Sequence, residues 1–359
     1  MTMRNGLVPQ GEKFKKRVAG SDLSQYKVVQ NGQLVVGFPI DEAVLAFQRS
    51  IPAGIVSPAY AVWDVIDEGA VDHLYLERFL RSPSAIAYYL AKLQGSTARR
   101  RSLPNPVFLD MDVPLPPLDE QRRIAAILNK ADELRIKRRE ALAHLDSLTQ
   151  SIFHSTFGDP VNNPHGLPRR TLPEVGHLYS GGTPSKTAPE NWEGEVPWFS
   201  PKDIKSSFLD DSMDHISPRV TETTSLKLLP PKTVVLVVRG MILAHSFPVA
   251  VLRRAATINQ DLKAVRPYGP IEPEFLLACL QAQHSHAVSM VETAAHGTKR
   301  LTADGLAKIF VFDVPLKRQQ DFARQVSAVE RLKETHRKHL AELDALFASL
   351  HHRAFKGEL

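Results

Sequence analysis

Several stretches of this sequence carry residue types suited to group chemistry, and in each the spacing stops short. Gly181-Gly182-Thr183-Pro184-Ser185-Lys186 has the glycines, hydroxyls and lysine of a phosphate-cradling loop. It departs from G-x-x-x-x-G-K-[ST], and Pro184 removes a backbone N–H that such a loop aims at phosphate. Ser57-Pro58-Ala59-Tyr60 comes near the Asn/Asp/Ser-Pro-Pro-aromatic motif that holds a flipped base in adenine methyltransferases. It lacks the second proline and has no glycine-rich cofactor loop beside it, so it reads as a strand bend. His351-His352 and the pair His284 and His286 lack spaced carboxylate or thiolate ligands, and no metal site is expected. No nucleophile, base and acid stand together locally, although such groups can converge from distant positions. The residues favour a chain that binds over one that catalyses.

The elements that would position a binding surface stand out more clearly. In VPLPPLDEQRRIAAILNKADELRIKRREALAHLDSLTQSIFHSTF, at 113–157, prolines hold the start extended and Asp119-Glu120 then opens a helix. A 3-4 spacing selects Ile124, Ile127, Ala131, Leu134, Arg138, Ala141, Leu145, Leu148 and Ile152, a coiled-coil seam broken only by Arg138. At about 1.5 Å per residue the helix would be a rod of roughly 57 Å, and one apolar stripe needs a partner. Residues 315–355 supply it at an offset of 198, with Gln121 matching Gln319, Ile124 matching Phe322, and SIFHSTF matching SLHHRAF. The expected seam is Ile124, Ile127, Leu134, Leu145, Leu148 and Ile152 against Phe322, Val329, Leu332, Leu343, Leu346 and Leu350.

The segments before the two helices also repeat. VDHLYLERFL at 71–80 pairs with IEPEFLLACL at 271–280, an offset of 200, and DVPL at 112–115 pairs with DVPL at 313–316. The expected organisation is a disordered start at 1–25, a first globular domain at 26–116, and a helix and spacer at 117–157. A linker at 158–170, a second domain at 171–314, a second helix at 315–355 and a tail at 356–359 follow. Within the first domain, YKVVQNGQLVVGF reads as a hairpin about Asn31-Gly32. Residues 171–225 have no counterpart in the first domain, which is therefore expected to be incomplete. A compact variant, a truncation and a domain completed by another polypeptide remain open as explanations.

Composition sets wide bounds. The chain has 359 residues, 43% of them hydrophobic, which suits two ordinary domains and excludes wholesale disorder. No apolar run is long enough to cross a membrane, and the lone Cys279 suits a reducing cytoplasm. A net charge of +6 permits nucleic-acid binding without establishing it.

PLPPLDEQRRIAAIL, SIFHSTFGDP, SGGTPSKTAPENWEGEVPWFSPKDI and VVRGMILAHSFPVAVLRRAATINQDLKAV all resemble the specificity subunit of type I restriction–modification systems. The resemblance covers essentially everything after Tyr26, including order and duplication. It implies an α+β fold of two pseudo-repeated target recognition domains joined by two long helices forming an antiparallel coiled coil. It also implies a non-catalytic, cytoplasmic subunit that recognises a bipartite duplex DNA target. The implied partners are double-stranded DNA, two methyltransferase subunits and, in the full complex, restriction subunits that translocate DNA. It implies no cofactor for this chain, and S-adenosylmethionine, ATP and Mg2+ for the partner subunits. The rival reading is a truncated scaffold or decoy that binds methyltransferase subunits without directing modification.

Phosphate contacts need cations or amide donors, and base reading needs planar donors and acceptors. The second-domain candidates are Ser180, Thr183, Ser185, Lys186, Lys202, Lys205, Arg239, His245, Arg253, Arg254, Lys299 and Arg300. In the first domain they are Arg49, Tyr60, Arg99, Arg100 and Arg101. Each has a rival reading as surface charge. Asn259-Gln260 could read adenine, or could fix a turn; Trp192, Trp198 and Phe199 read as core. Residues 169–314 hold 16 Lys and Arg against 15 Asp and Glu, so this domain is not expected to bind tightly on bulk charge.

Overall fold

The computed structural model describes residues 6–13, 22–95, 102–294 and 297–359. The chain forms two compact units, Met1–Glu140 with Lys338–Leu359, and Ala141–Arg337. The boundary cuts both long helices, so each unit contains part of each.

In unit 1 a short helix α1 (Gln10–Lys13) precedes β1 (Lys27–Gln30), β2 (Leu34–Val36), β3 (Leu45–Phe47), β4 (Ala53–Val56) and β5 (Ala61–Trp63). Helices α2 (His73–Leu80), α3 (Pro83–Lys92), α4 (Asn105–Leu109) and the long α5 (Leu118–Phe157) follow. The break between α2 and α3 falls just before Pro83. Asp72 caps α2 by accepting from the Tyr75 amide, and Ser82 caps α3 ahead of Pro83 by accepting from Ala85. The hairpin expectation fails, however. β1 pairs with β4, while β2 lies between β3 and β5 in an antiparallel sheet. Gly32 does turn the chain at φ +90°, but its N–H donates to Gln48 O and that of Asn31 to Pro52 O. These non-local acceptors outweigh the local turn signal. Of the start expected to be disordered, residues 1–5 and 14–21 lie outside the described residues, as do Arg99, Arg100 and Arg101.

Unit 2 opens with β6 (Arg169–Thr171), α6 (Leu172–Val175), β7 (Gly176–Ser180), β8 (Val196–Phe199), β9 (Phe208–Leu209), β10 (Asp214–Ile216) and α7 (Pro218–Thr223). Next come β11 (Val234–Val237), β12 (Val249–Leu252), β13 (Thr257–Ile258), β14 (Leu262–Pro267), α8 (Pro273–Ala282) and α9 (His284–Ser289). The unit closes with β15 (Glu292–Thr293), β16 (Lys299–Arg300), α10 (Ala303–Leu306), β17 (Phe310–Phe312) and the first part of α11 (Leu316–Ala354). Its main sheet runs β7-β14-β11-β12-β9. VVLV in β11 and VAVL in β12 are buried throughout, because α8 packs over the sheet; such strands read as continuous apolar runs.

The repeat survives in hydrogen bonding. Gln121 accepts from the Asp72 amide and donates to Ala70 O and Pro116 O. Gln319 accepts from the Glu272 amide and donates to Val314 O. Beneath these glutamines, Tyr75, Ile124 and Phe355 pack together in unit 1, as Phe275, Phe322 and Phe157 do in unit 2.

The helices pair antiparallel: the start of α5 lies against the end of α11 in unit 1, and the end of α5 against the start of α11 in unit 2. The inward line differs from the expected seam. Ile124, Phe322 and Val329 are buried and Ile127, Leu145, Ile152, Leu343 and Leu350 half-buried, but Leu134, Leu148, Leu332 and Leu346 are exposed. One position further along each helix, polar side chains pair with those of the facing helix. Arg135 and Arg139 meet Asp344 at 2.5 and 3.0 Å, with the Arg135 guanidinium 4.3 Å from the Phe347 ring centre. Lys333, 8% exposed, meets Glu330 at 2.7 Å and Asp146 at 3.1 Å. A helix of 3.6 residues per turn drifts about 20° per heptad against a 3.5 repeat, and the charged pairs occupy the drifted line. Among the described residues no helix is long and apolar enough to cross a membrane.

Candidate nucleic-acid interface

The loops at one end of the five-stranded sheet gather part of the expected set. Ser180 ends β7 opposite Lys263 at the start of β14. The turn before β14 is fixed by Asn259, 5% exposed, whose side chain accepts from the Asp261 amide at 3.0 Å and donates to the Asp261 carboxylate. Asp261 O in turn accepts from the amides of Val238 and Arg239. Asn259 thus holds the turn, while Gln260 stands exposed at its tip and accepts from the Thr183 hydroxyl.

The second contribution comes from the hairpin β15–β16. The Gly240 amide donates to Lys299 O, the Leu301 amide to Val238 O, and Arg239 and Arg300 form a backbone bridge. Together Ser180, Arg239, Gln260, Lys263, Arg300 and Thr302 line an open cleft of about 360 Å3. Arg239 lies 4.0 Å from Asp261, at the limit of an ion pair, and Arg300 has no side-chain partner among the described residues. Cations, an amide and hydroxyls on one open cleft are the groups that phosphate and base edges require.

Close main-chain packing sets this loop. A Cβ on Gly181 would stand 1.9 Å from Ile258 O and 2.5 Å from its carbon, both backbone atoms. Gly182 donates to the same carbonyl at 3.0 Å and accepts from the Trp198 indole N–H at 2.9 Å. Gly181→Ala is therefore expected to push the loop off β13 at a cost on the order of 3 kcal/mol. A lowered urea midpoint of the full chain would show it; an unchanged midpoint would mean that the loop moves freely.

The remaining candidates lie elsewhere or are already paired. Lys202 donates to Asp214 at 2.7 Å, which holds its ammonium above the usual lysine range. Arg253 reaches Asp210 at 3.4 Å and Arg254 reaches Asp211 at 3.9 Å. Asp211 also meets His215 at 2.8 Å, and that hydrogen bond lowers the carboxyl. Lys299 donates to the Thr293 hydroxyl of its own hairpin at 2.7 Å. Ser185 bonds Thr187, and its carbonyl accepts from the Trp192 indole. Lys186, Lys205 and His245 are exposed. In unit 1, Arg49 pairs with Glu77 at 3.0 Å and donates to His73 O, tying β3 to α2. Tyr60 packs beside Val29, Val35 and Val56, at 6.5 Å from Phe38. Trp198 and Phe199 are buried and Trp192 half-buried, stacked edgewise at 5.1 Å on Trp198.

The residue that sequence reading missed is Lys263, and a signal existed: a lone cation at the head of the apolar strand LKAV. Cys279 is wholly buried, and burial pushes its thiol up to about 12, out of nucleophilic range. Among the described residues no group of three or more His, Cys, Asp and Glu could hold a metal ion.

Known proteins resemble this chain in sequence and in fold. The chain is 32% identical over 163 residues to the type I restriction enzyme EcoR124I/EcoR124II specificity subunit of Escherichia coli, covering 45% of this chain and 40% of that protein. It is 26% identical over 110 residues to the type I restriction enzyme MjaIX specificity subunit of Methanocaldococcus jannaschii, covering 30% and 24%. The matched stretches therefore span less than half the length of these relatives. A solved chain described as the structural basis underlying complex assembly and conformational transition of the type I R-M system shares the fold. It has a TM-score of 0.61, 22% identity, and coverage of 94% of this chain and 85% of that one. The type I restriction–modification S subunit from M. genitalium does so at TM-score 0.56 and 14% identity, covering 91% and 83%. The family model described as type I restriction modification DNA specificity domain matches residues 165–345, which hold the cleft, its supporting sheet and most of α11. By that match across half its length, the chain belongs to the type I restriction–modification DNA specificity family.

Proposed function

We propose that this chain is the non-catalytic specificity subunit of a type I restriction–modification complex in the cytoplasm, and that unit 2 reads duplex DNA through the Arg239–Arg300 cleft. The observation that carries this reading is the convergence of Ser180, Gln260, Lys263, Arg239 and Arg300 from separate loops onto one open surface. Arg300 and Lys263 act on phosphate or on guanine edges, and Gln260 offers the paired donor and acceptor that adenine matches. Lys186, exposed on the loop beyond Thr183, contacts the DNA backbone in this reading. Lys202, Arg253 and Arg254 contribute less, since each already faces a carboxylate.

Methyltransferase subunits, using S-adenosylmethionine, and restriction subunits, using ATP and Mg2+, supply the chemistry that this chain lacks. They also supply affinity. With 16 cations against 15 anions over residues 169–314, the globular part of unit 2 has little bulk attraction for DNA, and tight binding requires partner surfaces closing round the duplex.

The test is a map of methylated adenines in host DNA with and without this gene, the neighbouring modification genes being intact. Loss of a two-part motif is expected; no change, with the protein expressed, would refute the proposal. In the assembled complex Arg300→Ala is expected to weaken DNA binding by about 1–3 kcal/mol if it reads a base. If it meets phosphate, the loss is uniform across sequences and the salt slope falls by about one. Unchanged binding and salt slope would remove Arg300 from the interface.

A further inference from the structure

The two units repeat a sheet but not its edges. In unit 1 the order β3-β2-β5 matches β12-β11-β14 of unit 2, antiparallel throughout. Val35 stands opposite Val62 as Val235 stands opposite Ala264, which makes Ala61, Val62 and Trp63 the equivalents of Lys263, Ala264 and Val265. In unit 2 the outer edge of β14 carries β7, from Lys263 opposite Ser180 to Pro267 opposite Gly176. Beside it β13 carries β8, and Thr257 and Ile258 are wholly buried.

The corresponding edges of unit 1 differ from one another. The β3 edge is closed by side chains of α2: the Phe47 amide donates to Glu77 at 3.1 Å, and Arg81 donates to Leu45 O. The β5 edge has no strand partner among the described residues. Its three residues are half-buried where Ala264 and Val265 are buried, and Pro58 and Ala59 are exposed. The Trp63 indole N–H is buried without a hydrogen-bond partner among the described residues. Elsewhere in unit 1, Val28 and Ile55 stand opposite one another across β1 and β4, 62% and 50% exposed. A sheet edge with no strand partner among the described residues is the setting for strand addition.

We propose that the β5 edge is a docking site for an extended segment of a second polypeptide, built like residues 176–199. That segment pairs antiparallel with Ala61–Trp63 and covers the bend at 57–60. Unit 2 shows the chemistry required: an alternating strand with an apolar residue at the place of Leu178, followed by a glycine turn. A second copy of this chain is not the donor, since its own β7 is held in its own sheet. The proposal stands apart from DNA reading by unit 2.

Hydrogen exchange on the full chain tests it, using a synthetic peptide with the sequence of residues 174–184, EVGHLYSGGTP. The peptide is expected to slow exchange at Ala61–Trp63 about tenfold and to leave 263–265 unchanged. The same peptide methylated at every backbone N–H from His177 to Ser180 is expected to have no effect. Three outcomes would overturn the proposal: amides of 61–63 as protected in the chain alone as those of 263–265, no slowing at saturating peptide, or equal slowing by the methylated peptide. None of these depends on whether the chain directs methylation.

Discussion

Phe322→Ala is expected to cost about 3–5 kcal/mol and to unfold much of unit 2 at moderate urea. The ring is 1% exposed, with centres 5.6 Å from Phe153, 5.7 Å from Phe157 and 6.5 Å from Phe275. Three of these rings lie on the paired helices and Phe275 on α8, which packs over the sheet bearing the cleft. Removing Phe322 leaves a cavity that neighbouring rings cannot collapse into without leaving their own rotamers, so transfer and cavity costs add. Urea unfolding followed by circular dichroism reads the loss. A midpoint equal to that of the parent chain would mean that the aromatic cluster does not hold the helices to the sheet.

His351 should make unit 1 acid-sensitive, where its twin position in unit 2 holds Phe153. It is 5% exposed, with ring centres 5.5 Å from Phe347 and 5.0 Å from Phe355. Its Nδ1 has no hydrogen-bond partner among the described residues. Burial, followed by the nearby Arg78 charge, lowers the imidazole to about 4; a backbone hydrogen bond at Arg78 and the Asp132 carboxylate oppose this more weakly. Above the unfolded value of about 6.5 the ring is neutral in both states and stability is complete. As pH falls from there the unfolded chain takes up a proton that the folded one refuses, so stability declines until about pH 4. The loss is on the order of 3 kcal/mol at 1.36 kcal/mol per pKa unit. His351→Phe is expected to remove most of the difference between urea midpoints at pH 7.5 and pH 5. A difference that persists in the variant would place the acid sensitivity on other groups.

Much of this fold was legible from one sequence because duplication leaves a long-range signal that local propensity does not. The offset of 198 between Gln121 and Gln319 returns as the same pair of hydrogen bonds. What was not legible depended on partners distant in sequence. Asn31-Gly32 signals a hairpin locally, yet Gln48 and Pro52 accept its amides. Leu134 and Leu148 fit an apolar repeat, yet Arg135 and Lys333 occupy the line between the helices because Asp344 and Asp146 stand opposite. The cleft was half legible. Arg239 and Arg300 could be nominated by charge, but Lys202, Arg253 and Arg254 have the same charge and are neutralised by aspartates 12 to 43 residues away. Lys263 was overlooked because it stands inside an otherwise apolar strand, β14.

The paired glutamines carry a consequence for how such a chain changes over time. Gln121 grips only main-chain atoms, at Ala70, Asp72 and Pro116, and Gln319 does likewise at Glu272 and Val314. A grip on backbone places no demand on the side chains of the globular unit that it holds. Each helix end is therefore a socket of fixed pattern, and a reading head that presents one amide and one carbonyl at that spacing, with an aromatic ring beneath them as at Tyr75 and Phe275, will seat in it. The part that meets the outside world can drift or be exchanged wholesale while the mounting stays the same.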